Sequence, residues 1–395
     1  MPFAAALSTC SDTSAAIAEV CSRALESLQS PTTELAPQLA LLFFSLDHAG
    51  RMERGAADLR KRLNASCLLG CCGDGIVGND QEIEQGPAMS LWLARWAKPA
   101  TIEPFRLTFS QAGNAVQIQG MPESISTADV QRSAILLFAD PHSFRADYFL
   151  SPINQNFQGL PVMGGLATGR NTSAGGKLLL GDAMHEQGAV GVLLSGSCEV
   201  RGIVSHSCRP VGKPLAVTRA NGNIIHELNG RPPLALMHQL FQQLSLPDQQ
   251  LFQRGLHIGR PTIEGEYQVP SCDFLVRNMI GMDRGSGSVT IDGRFSVGQT
   301  VQFLLRDADT ADDNLRTLLQ RELRGSAPKP GGALLFTCNR RGSRFFGKPN
   351  HDAGALRAEL GNLPVAGLFT PGEIGPVAGQ NYVHGYTASI ALFGG

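Results

Sequence analysis

The strongest constraint on the fold is one apolar pattern that occurs three times along the chain. The three runs are "LALLFFSLD" (39–47), "AILLFADPH" (134–142) and "ALLFTCNRR" (333–341). Each run has the length of a buried β-strand and ends at small or polar residues. Such runs predict strands that are buried on both faces of a sheet, whether the copies share one continuous sheet or form two stacked ones.

Each apolar run opens a longer unit with a fixed order of elements. A helix-like stretch comes next: "ERGAADLRKRL", "RADYFLSPINQNF" or "DAGALRAEL". A glycine-rich strand follows, at 67–75, 160–169 and 363–375, and "AMSLWLA", "GAVGVLLSG" or "TASIALFGG" closes the unit. The sequence therefore predicts an α/β protein of repeated strand-helix-strand-strand units. These form mixed β-sheets flanked by helices, with stacking into a layered sandwich left open. Because the spacing varies between the copies, a solenoid array is excluded.

The material outside the copies has a different pattern. The first 34 residues contain one helix, "AAIAEVCSRALESL", with apolar residues at helical spacing. Between the second and third copies, "NIIHELNGRPPLALMHQLFQQL" predicts two helical pieces, the second starting at Pro232–Pro233. Asp292–Gly293 is typical of a two-residue hairpin turn.

Composition excludes several classes of protein. The 395 residues suggest two or three domains. Lys plus Arg (33) balance Asp plus Glu (34), so a basic nucleic-acid-binding surface is not expected. No apolar stretch of about 18 residues exists, and no basic region precedes the first apolar run, so neither membrane insertion nor a signal peptide is expected. The nine scattered cysteines favour reduced thiols and a cytoplasmic location.

Short catalytic and cofactor motifs fail in their contexts. "GDGIVG" (73–78) fits the dinucleotide pattern, but no amphipathic helix opens after it, which indicates a glycine-rich turn. "GGK" (175–177) lacks the phosphate-loop spacing and is followed by Leu178. Cys71 and Cys72 are adjacent, too close for a zinc knuckle, although a redox role for them or for Cys338 is left open. We therefore predict no cofactor and no metal.

The candidate binding residues lie where the third copy's strands end and in the segment before it. Ligands of open α/β sheets favour the carboxyl ends of the strands. Arginines in apolar surroundings need an anionic partner, which is either a protein carboxylate or a ligand. Glu373 would then hold an arginine or accept from a ligand ammonium group. The predicted ligand-binding residues are Arg209, Arg277, Asn278, Cys338, Asn339, Arg341, His351, Glu373, Asn381 and His384.

The order of several stretches resembles the FIST family. The matching stretches include "LLGCCGDGIVGNDQEIEQGPAMSL", "LPVMGGLATG", "DFLVRNMIGMD", "LLFTCNRRGSRFFGKPNHDA" and "LPVAGLFTPGEIGPVAGQNYVHGYTASIALF". The resemblance implies an N-terminal segment (1–34), a FIST N-like domain (35–222) and a FIST C-like domain (223–395), in a stand-alone form without a fused output domain. Against the family's usual "CNGRG", Arg340 replaces a glycine. The family offers no established catalytic residues to carry over.

Three functions remain in competition. The first hypothesis, which the resemblance implies, is an intracellular sensory protein of signal transduction. It would bind an anionic or zwitterionic metabolite such as an amino acid, with a protein signalling partner as a further expectation. The second is an enzyme in which Cys338 works with His351 or His384. The third is a protein-interaction adaptor, which predicts an exposed apolar patch.

Overall fold

The structure, a computed structural model, describes residues 2–28, 36–98, 100–112, 115–169, 175–262, 274–325 and 328–394. The chain divides into two units, each described by itself. The three-copy unit comprises Met1–Val204, Leu315–Val383 and Thr387–Gly395, and the barrel unit comprises Ser205–Asn314 and His384–Tyr386. Within the described residues, no helix has both the length and the apolar character that crossing a bilayer requires.

Helices and strands follow the predicted order through the first two copies. The elements up to residue 206 are β1 (Phe3–Ser8), α1 (Thr13–Leu28), β2 (Leu39–Ser45), α2 (Leu46–Ala49), α3 (Met52–Leu63), β3 (Cys67–Gly73), β4 (Ile76–Gly78), β5 (Gln81–Ile83), β6 (Met89–Ala94), β7 (Ala100–Ala112), β8 (Ala115–Gln119), β9 (Ser133–Ala139), α4 (Ala146–Asn156), β10 (Val162–Leu166), β11 (Leu178–Leu180), β12 (Ala183–His185), β13 (Ala189–Gly196) and β14 (Val200–His206). Short 3₁₀ turns occupy Glu123–Thr127 and Val130–Arg132.

The remaining elements build the barrel unit and the third copy. They are β15 (Cys208–Asn221), β16 (Ile224–Leu228), α5 (Pro233–Gln243), α6 (Leu246–Arg254), β17 (Leu256–Pro261), β18 (Phe274–Met282), β19 (Val289–Ile291), β20 (Thr300–Arg306), α7 (Ala308–Arg324), β21 (Pro330–Cys338), α8 (Ser343–Phe346), α9 (His351–Leu360), β22 (Val365–Thr370), β23 (Glu373–Val377), β24 (Gln380–His384) and β25 (Thr387–Gly394).

The predicted repeat is confirmed at the level of strand pairing. In each copy the first strand lies parallel to the glycine-rich strand and antiparallel to the closing strand. The three sheets have the strand orders β1-β6-β2-β3-β11-β12, β24-β23-β10-β9-β13-β7-β8 and β14-β25-β21-β22-β4-β5. The chain is therefore a mixed α/β protein, as predicted.

Three phenylalanines at equivalent positions of the copies join the sheets in one core. Phe43 of β2, Phe138 of β9 and Phe336 of β21 are fully buried. Their ring centroids lie 5.4 Å (Phe43–Phe138), 6.0 Å (Phe43–Phe336) and 5.8 Å (Phe138–Phe336) apart, in tilted or edge-on geometry. Aromatic pairs favour this arrangement. The layering is therefore a three-sheet arrangement around a shared centre.

One glycine in each second strand is required by the same close approach. A Cβ on these glycines would lie 1.8–1.9 Å from the carbonyl oxygen of the paired leucine on the first strand. The pairs are Gly70 with Leu42, Gly164 with Leu137 and Gly367 with Leu335. No other residue type fits without moving backbone, which explains the glycine-rich second strand of every copy.

The hairpin that follows each second strand pairs with another copy. The first copy's β4–β5 joins β22 of the third, the second copy's β11–β12 joins β3 of the first, and the third copy's β23–β24 joins β10 of the second. "GDGIVG" is the turn into the first of these hairpins, as expected. The hairpins are thus exchanged in a closed cycle among the copies.

The barrel unit contains a closed antiparallel barrel with the order β15-β16-β19-β18-β17-β20. Two sequence predictions were wrong here. Residues 224–228 form strand β16 rather than a helix, because they pair antiparallel with β15 and β19, and a register shift in the β15 pairing lets both Ile225 and Leu228 reach the barrel core. Asp292–Gly293 does not make a hairpin: β19 pairs with β16 and β18, and the Asp292 carboxylate accepts from the Asn278 backbone N–H at 2.7 Å. The predicted start of α5 at Pro233 is confirmed.

Candidate functional site

Arg341 and Asp352 form a buried bidentate ion pair beside the end of β21. Arg341 Nε and Nη2 donate to the two Asp352 oxygens, each at 2.8 Å, and the side chains are 0% and 2% exposed. Asp352 also accepts from Thr337 Oγ1 at 2.7 Å and lies 2.9 Å from His351 Nδ1. Burial acts to raise the pKa of Asp352, but the Arg341 charge holds it below its usual value. Arg341 is thus matched by a protein carboxylate.

Aromatic and hairpin contacts fix this pair in place. The Phe346 ring of α8 stacks on His351 at 3.3 Å, and the Arg341 guanidinium lies 5.1 Å from the same ring. Glu82, from the first copy's exchanged hairpin, accepts from the Ala353 N–H in the first turn of α9 at 2.8 Å. Burial, and then the Asp352 charge, raise the pKa of Glu82 to about 8.

Glu373 is fully buried at the start of the third copy's exchanged hairpin. Its Oε2 accepts from the Thr387 N–H at 3.0 Å and from Thr387 Oγ1 at 2.7 Å. Among the described residues, Oε1 has no hydrogen-bond donor of ordinary geometry. Burial raises the pKa of Glu373 to about 8, although Thr387, the Cys338 thiol and the Arg341 charge act to lower it. The folded chain therefore keeps the proton on this carboxyl group to a higher pH than the unfolded chain does.

The structure connects four of the predicted residues in the three-copy unit. Cys338, Arg341, His351 and Glu373 belong to the network just described. Asn339 instead donates to the Asp74 carboxylate. Asn381 holds its hairpin to β10: its Oδ1 accepts from the Val162 N–H at 2.8 Å and its Nδ2 donates to the Leu160 carbonyl at 2.9 Å.

The other predicted residues belong to the barrel unit. Arg209 lies 2.5 Å from Asp248 and 2.7 Å from Asp307, so it bridges two carboxylates. Arg277 Nη1 donates to the Val276 carbonyl at 3.1 Å. The His384 ring lies edge-on to His206 with centroids 5.7 Å apart.

Sequence reasoning missed Tyr386, which lies at the centre of a partly buried polar cluster that includes the predicted Asn278. Its hydroxyl donates to Asn278 Oδ1, and its ring lies 4.5 Å from His257 and 5.2 Å from the Arg306 guanidinium. Its φ of +64° is unusual for a bulky residue. The sequence does not distinguish Tyr386 from the tyrosines that commonly begin a β-strand after a glycine, so no sequence signal pointed to it. The assignment of all ten predicted residues to one ligand site stays a prediction.

A cleft of about 530 Å³ lies at the carboxyl ends of β2, β9 and β10. We call it the strand-end cleft. Leu46 and Ala49 form an apolar side, while the polar lining comes from the second copy: Asp140, His142, Ser143, Thr168, Lys177 and Glu186. Its position is the one that the strand-end argument predicts, but in the second copy rather than the third.

Asp140 shapes the floor of the strand-end cleft. It is 1% exposed. Its Oδ2 accepts from the Ser143 N–H at 2.8 Å and from Ser143 Oγ at 2.5 Å, and its Oδ1 accepts from the Gly176 N–H at 2.9 Å. Asp140 stands two residues after Phe138, as Cys338 stands two after Phe336, so the repeat itself was the available signal.

Lys177 supplies the positive charge of the cleft. It pairs with Glu186 and lies 3.7 Å from Glu53, with its side chain 21% exposed. Burial raises the pKa of Asp74, and the buried Thr168 Oγ1 partly offsets that rise, although it makes no hydrogen bond of ordinary geometry within the described chain. Lys177 is followed by strand β11 and not by the helix that a phosphate-binding loop requires.

Within the ranges that the structure describes, no metal-binding cluster is present, and burial suppresses the reactivity of four cysteine thiols. No three His, Cys, Asp or Glu side chains there are arranged to hold a metal ion. Burial raises the pKa of Cys21, Cys67 and Cys198 to about 12 and that of Cys71 well above its usual value. These thiols resist forming the nucleophilic thiolate at neutral pH.

Comparison with known proteins identifies the family. The FIST N domain profile matches residues 38–231, and the FIST C domain profile matches residues 233–376. The chain is similar to the Mycobacterium tuberculosis H37Rv "Uncharacterized protein Rv0628c", at 38% identity over 394 residues that span 100% of both chains. It is also 38% identical over 360 residues to the Mycobacterium bovis "Uncharacterized protein Mb0898c", covering 91% of each. The chain belongs to the FIST family.

Proposed function

We propose that this protein is an intracellular sensory protein that binds a small zwitterionic metabolite, of the amino-acid class, in the strand-end cleft. FIST domains are generally associated with signal transduction and with binding of small ligands. The observation that carries the proposal is the meeting of one ammonium group, carboxylates and an apolar wall in a cavity of about 530 Å³. Cavities of roughly 300–1,000 Å³ are typical of small-molecule sites.

The charges favour a zwitterion over a purely anionic ligand. Lys177 is already paired with Glu186, so an incoming carboxylate would replace Glu186 at the ammonium group. The Glu186 carboxylate would then be available to a ligand ammonium group. This exchange keeps every charge partnered, whereas a dianion would leave Glu186 beside further negative charge.

Two further features support an amino acid with an apolar side chain. Leu46 and Ala49 offer the side chain an apolar surface. The Ser143 hydroxyl, whose proton is donated to Asp140, keeps an acceptor lone pair for a ligand at the second-copy strand end. The predicted residues around Arg341 and Glu373 form a separate, enclosed network. We propose that it supports the third copy's fold and does not contact the ligand directly, since those two side chains are fully buried.

Thermal-shift measurements with each of the twenty L-amino acids test this function, together with native mass spectrometry of freshly purified protein. At a concentration about one hundred times Kd, a ligand stabilises the folded chain by about 2.7 kcal/mol. Lys177→Met and Glu186→Gln should both remove the shift, whereas Lys61→Met, which removes an exposed lysine of α3, should keep it. The proposal is wrong if no amino acid stabilises the wild-type protein, or if Lys177→Met responds as Lys61→Met does.

A further inference from the structure

A second cavity, of about 700 Å³, lies in the barrel unit between α5, the end of α6 and the β17–β18 pair. We call it the apolar groove. Its walls are formed mainly by Met237, Phe241, Phe252, Leu256, Met279 and Met282. It shares no lining residue with the strand-end cleft, so a ligand here would be bound independently of the proposed function.

The floor of the groove is continuous with the barrel core, but its rim is exposed. Met237 and Leu256 are buried in the core cluster, and Phe252 and Met279 pack against that cluster while staying half-buried. Phe241 and Phe252 meet edge-on with their ring centroids 5.3 Å apart. Ile280 and Met282 at the rim are 62% and 60% exposed. Apolar side chains therefore extend from the core to solvent without a polar cover.

A β-bulge accounts for the exposed rim. The pairing of β18 with β19 shifts between Met279 and Gly281, which leaves Ile280 as the extra residue. A bulge turns side chains away from the regular alternation of a strand. It places Met279 and Ile280 consecutively along one apolar groove instead of on opposite faces.

The charge of the lining identifies the kind of occupant. Among the described residues around the groove, none is Asp, Glu, Lys or Arg. The polar side chains there are His238, Gln242 and Gln253, all exposed. Burying a charged group against this wall would be costly because nothing in it would pair the charge. The matching occupant is uncharged and apolar, with at most a neutral polar group directed to the amides.

The size and the side chains favour a small molecule over a protein segment. The volume of about 700 Å³ falls within the range of roughly 300–1,000 Å³ that is typical of small-molecule sites. Three methionines provide walls that adapt to irregular apolar shapes. A bound protein segment would extend beyond a cavity of this volume onto the surrounding surface, whereas a small molecule is accommodated within it. We propose that the apolar groove is a second ligand site, for a small uncharged apolar molecule.

Titration with the neutral fluorophore Prodan tests this site on the full chain. We expect saturable binding with a blue-shifted emission and about one molecule per chain. Met279→Lys should weaken the apparent affinity by about tenfold or more, because it places a charge against the apolar wall. The matched control Leu246→Lys adds the same charge to α6 at a side chain that is 76% exposed and outside the groove, and it should bind as the wild type does.

A second variant covers the case in which Met279→Lys fails to fold. Ile280→Lys changes a residue that is 62% exposed, so the barrel should keep its circular dichroism spectrum while Prodan binding weakens. Absence of saturable binding to the wild type, or equal weakening by Leu246→Lys, would overturn the proposal. So would a concentration-dependent dimer that Ile280→Lys abolishes, since a second copy would then cover the groove. The thermal shift with amino acids should be unchanged in these variants, which separates this result from the proposed function.

Discussion

Arg341 and Asp352 face each other with two parallel hydrogen bonds of 2.8 Å, and both side chains are removed from solvent. A bidentate guanidinium–carboxylate pair restricts both distance and orientation. Because Asp352 also binds Thr337 and His351, one carboxylate fixes the end of β21 to the start of α9. This geometry makes the pair a structural anchor of the third copy.

Removing the arginine should therefore be severe. Arg341→Met leaves Asp352 charged and buried, and we expect the free energy of unfolding to fall by about 3–5 kcal/mol. Arg357→Met removes an exposed arginine that pairs with Asp80 and should cost less than about 1 kcal/mol. Both tryptophans, Trp92 and Trp96, lie in the three-copy unit, so urea denaturation followed by tryptophan fluorescence reports on the relevant unit. Similar losses for the two variants would contradict this account.

The stability of the three-copy unit should fall as pH rises from about 5 to 8, in part through Glu373. Burial raises the folded-state pKa of Glu373 to about 8, above the ordinary value of 4.5. In this interval the unfolded chain releases the proton that the folded chain keeps, so the stabilisation present below pH 4.5 is lost as pH rises through 8.

Glu373→Gln isolates that contribution. The variant should gain stability relative to the wild type between pH 5 and pH 8, and a weaker slope should persist because Glu82 shifts in the same direction. Urea denaturation at pH 5, 6.5 and 8 measures the difference, with the exposed Glu123→Gln as control. A difference between wild type and Glu373→Gln that stays constant across these three pH values would show that Glu373 does not titrate in this interval.

Two glycine substitutions in the third copy should have opposite effects on stability, because only one of the two glycines lies where β21 and β22 approach closely. A Cβ at Gly367 would lie 1.8 Å from the Leu335 carbonyl oxygen, so Gly367→Ala should cost more than about 3 kcal/mol by forcing the strands apart. Gly354 lies inside α9 with no atom within 4 Å of its added Cβ, and Gly354→Ala should stabilise by about 0.5–1 kcal/mol. Thermal unfolding of the two variants provides the comparison, and a tolerated Gly367→Ala would refute the steric argument.

The turn of the third exchanged hairpin offers a stabilising change. Ala378 has a φ of +51° and precedes Gly379 at +76°. Asparagine adopts this conformation with less strain than alanine, and Asn-Gly is the preferred pair for such a turn. Ala378→Asn should raise the free energy of unfolding by about 1 kcal/mol, measured by urea denaturation. Gly379→Ala, its neighbour control, should lower it.

The repeated units were predictable because buried strands leave an unambiguous local pattern. The runs that contain Phe43, Phe138 and Phe336 are apolar throughout, and the paired glycines mark each second strand. The exchange of hairpins was not predictable, since β4 and β11 have three residues each and their partners are set by tertiary packing. β16 was mistaken for a helix because five residues with mixed burial are too few to distinguish the helical period of about 3.6 residues from the strand period of two.

The site was only partly predictable for a related reason. The sequence placed Cys338, Arg341 and Glu373 near one strand end, and the structure brings them into one network. It did not indicate that Asp352, eleven residues after Arg341, is the partner of that arginine, because both helix capping and ion pairing suit an aspartate there. Asp140 was overlooked since a lone aspartate after a strand resembles an ordinary loop residue.

The cyclic hairpin exchange has a consequence for folding. Each copy completes the sheet of a neighbour, so an isolated copy lacks strands that only the other copies supply. Excising the third copy would remove β23 from β10 and would also deprive β4 of β22. We therefore expect the three copies to unfold as one cooperative unit. Although the copies are repeats of each other, none of them is a module that can be separated from the other two.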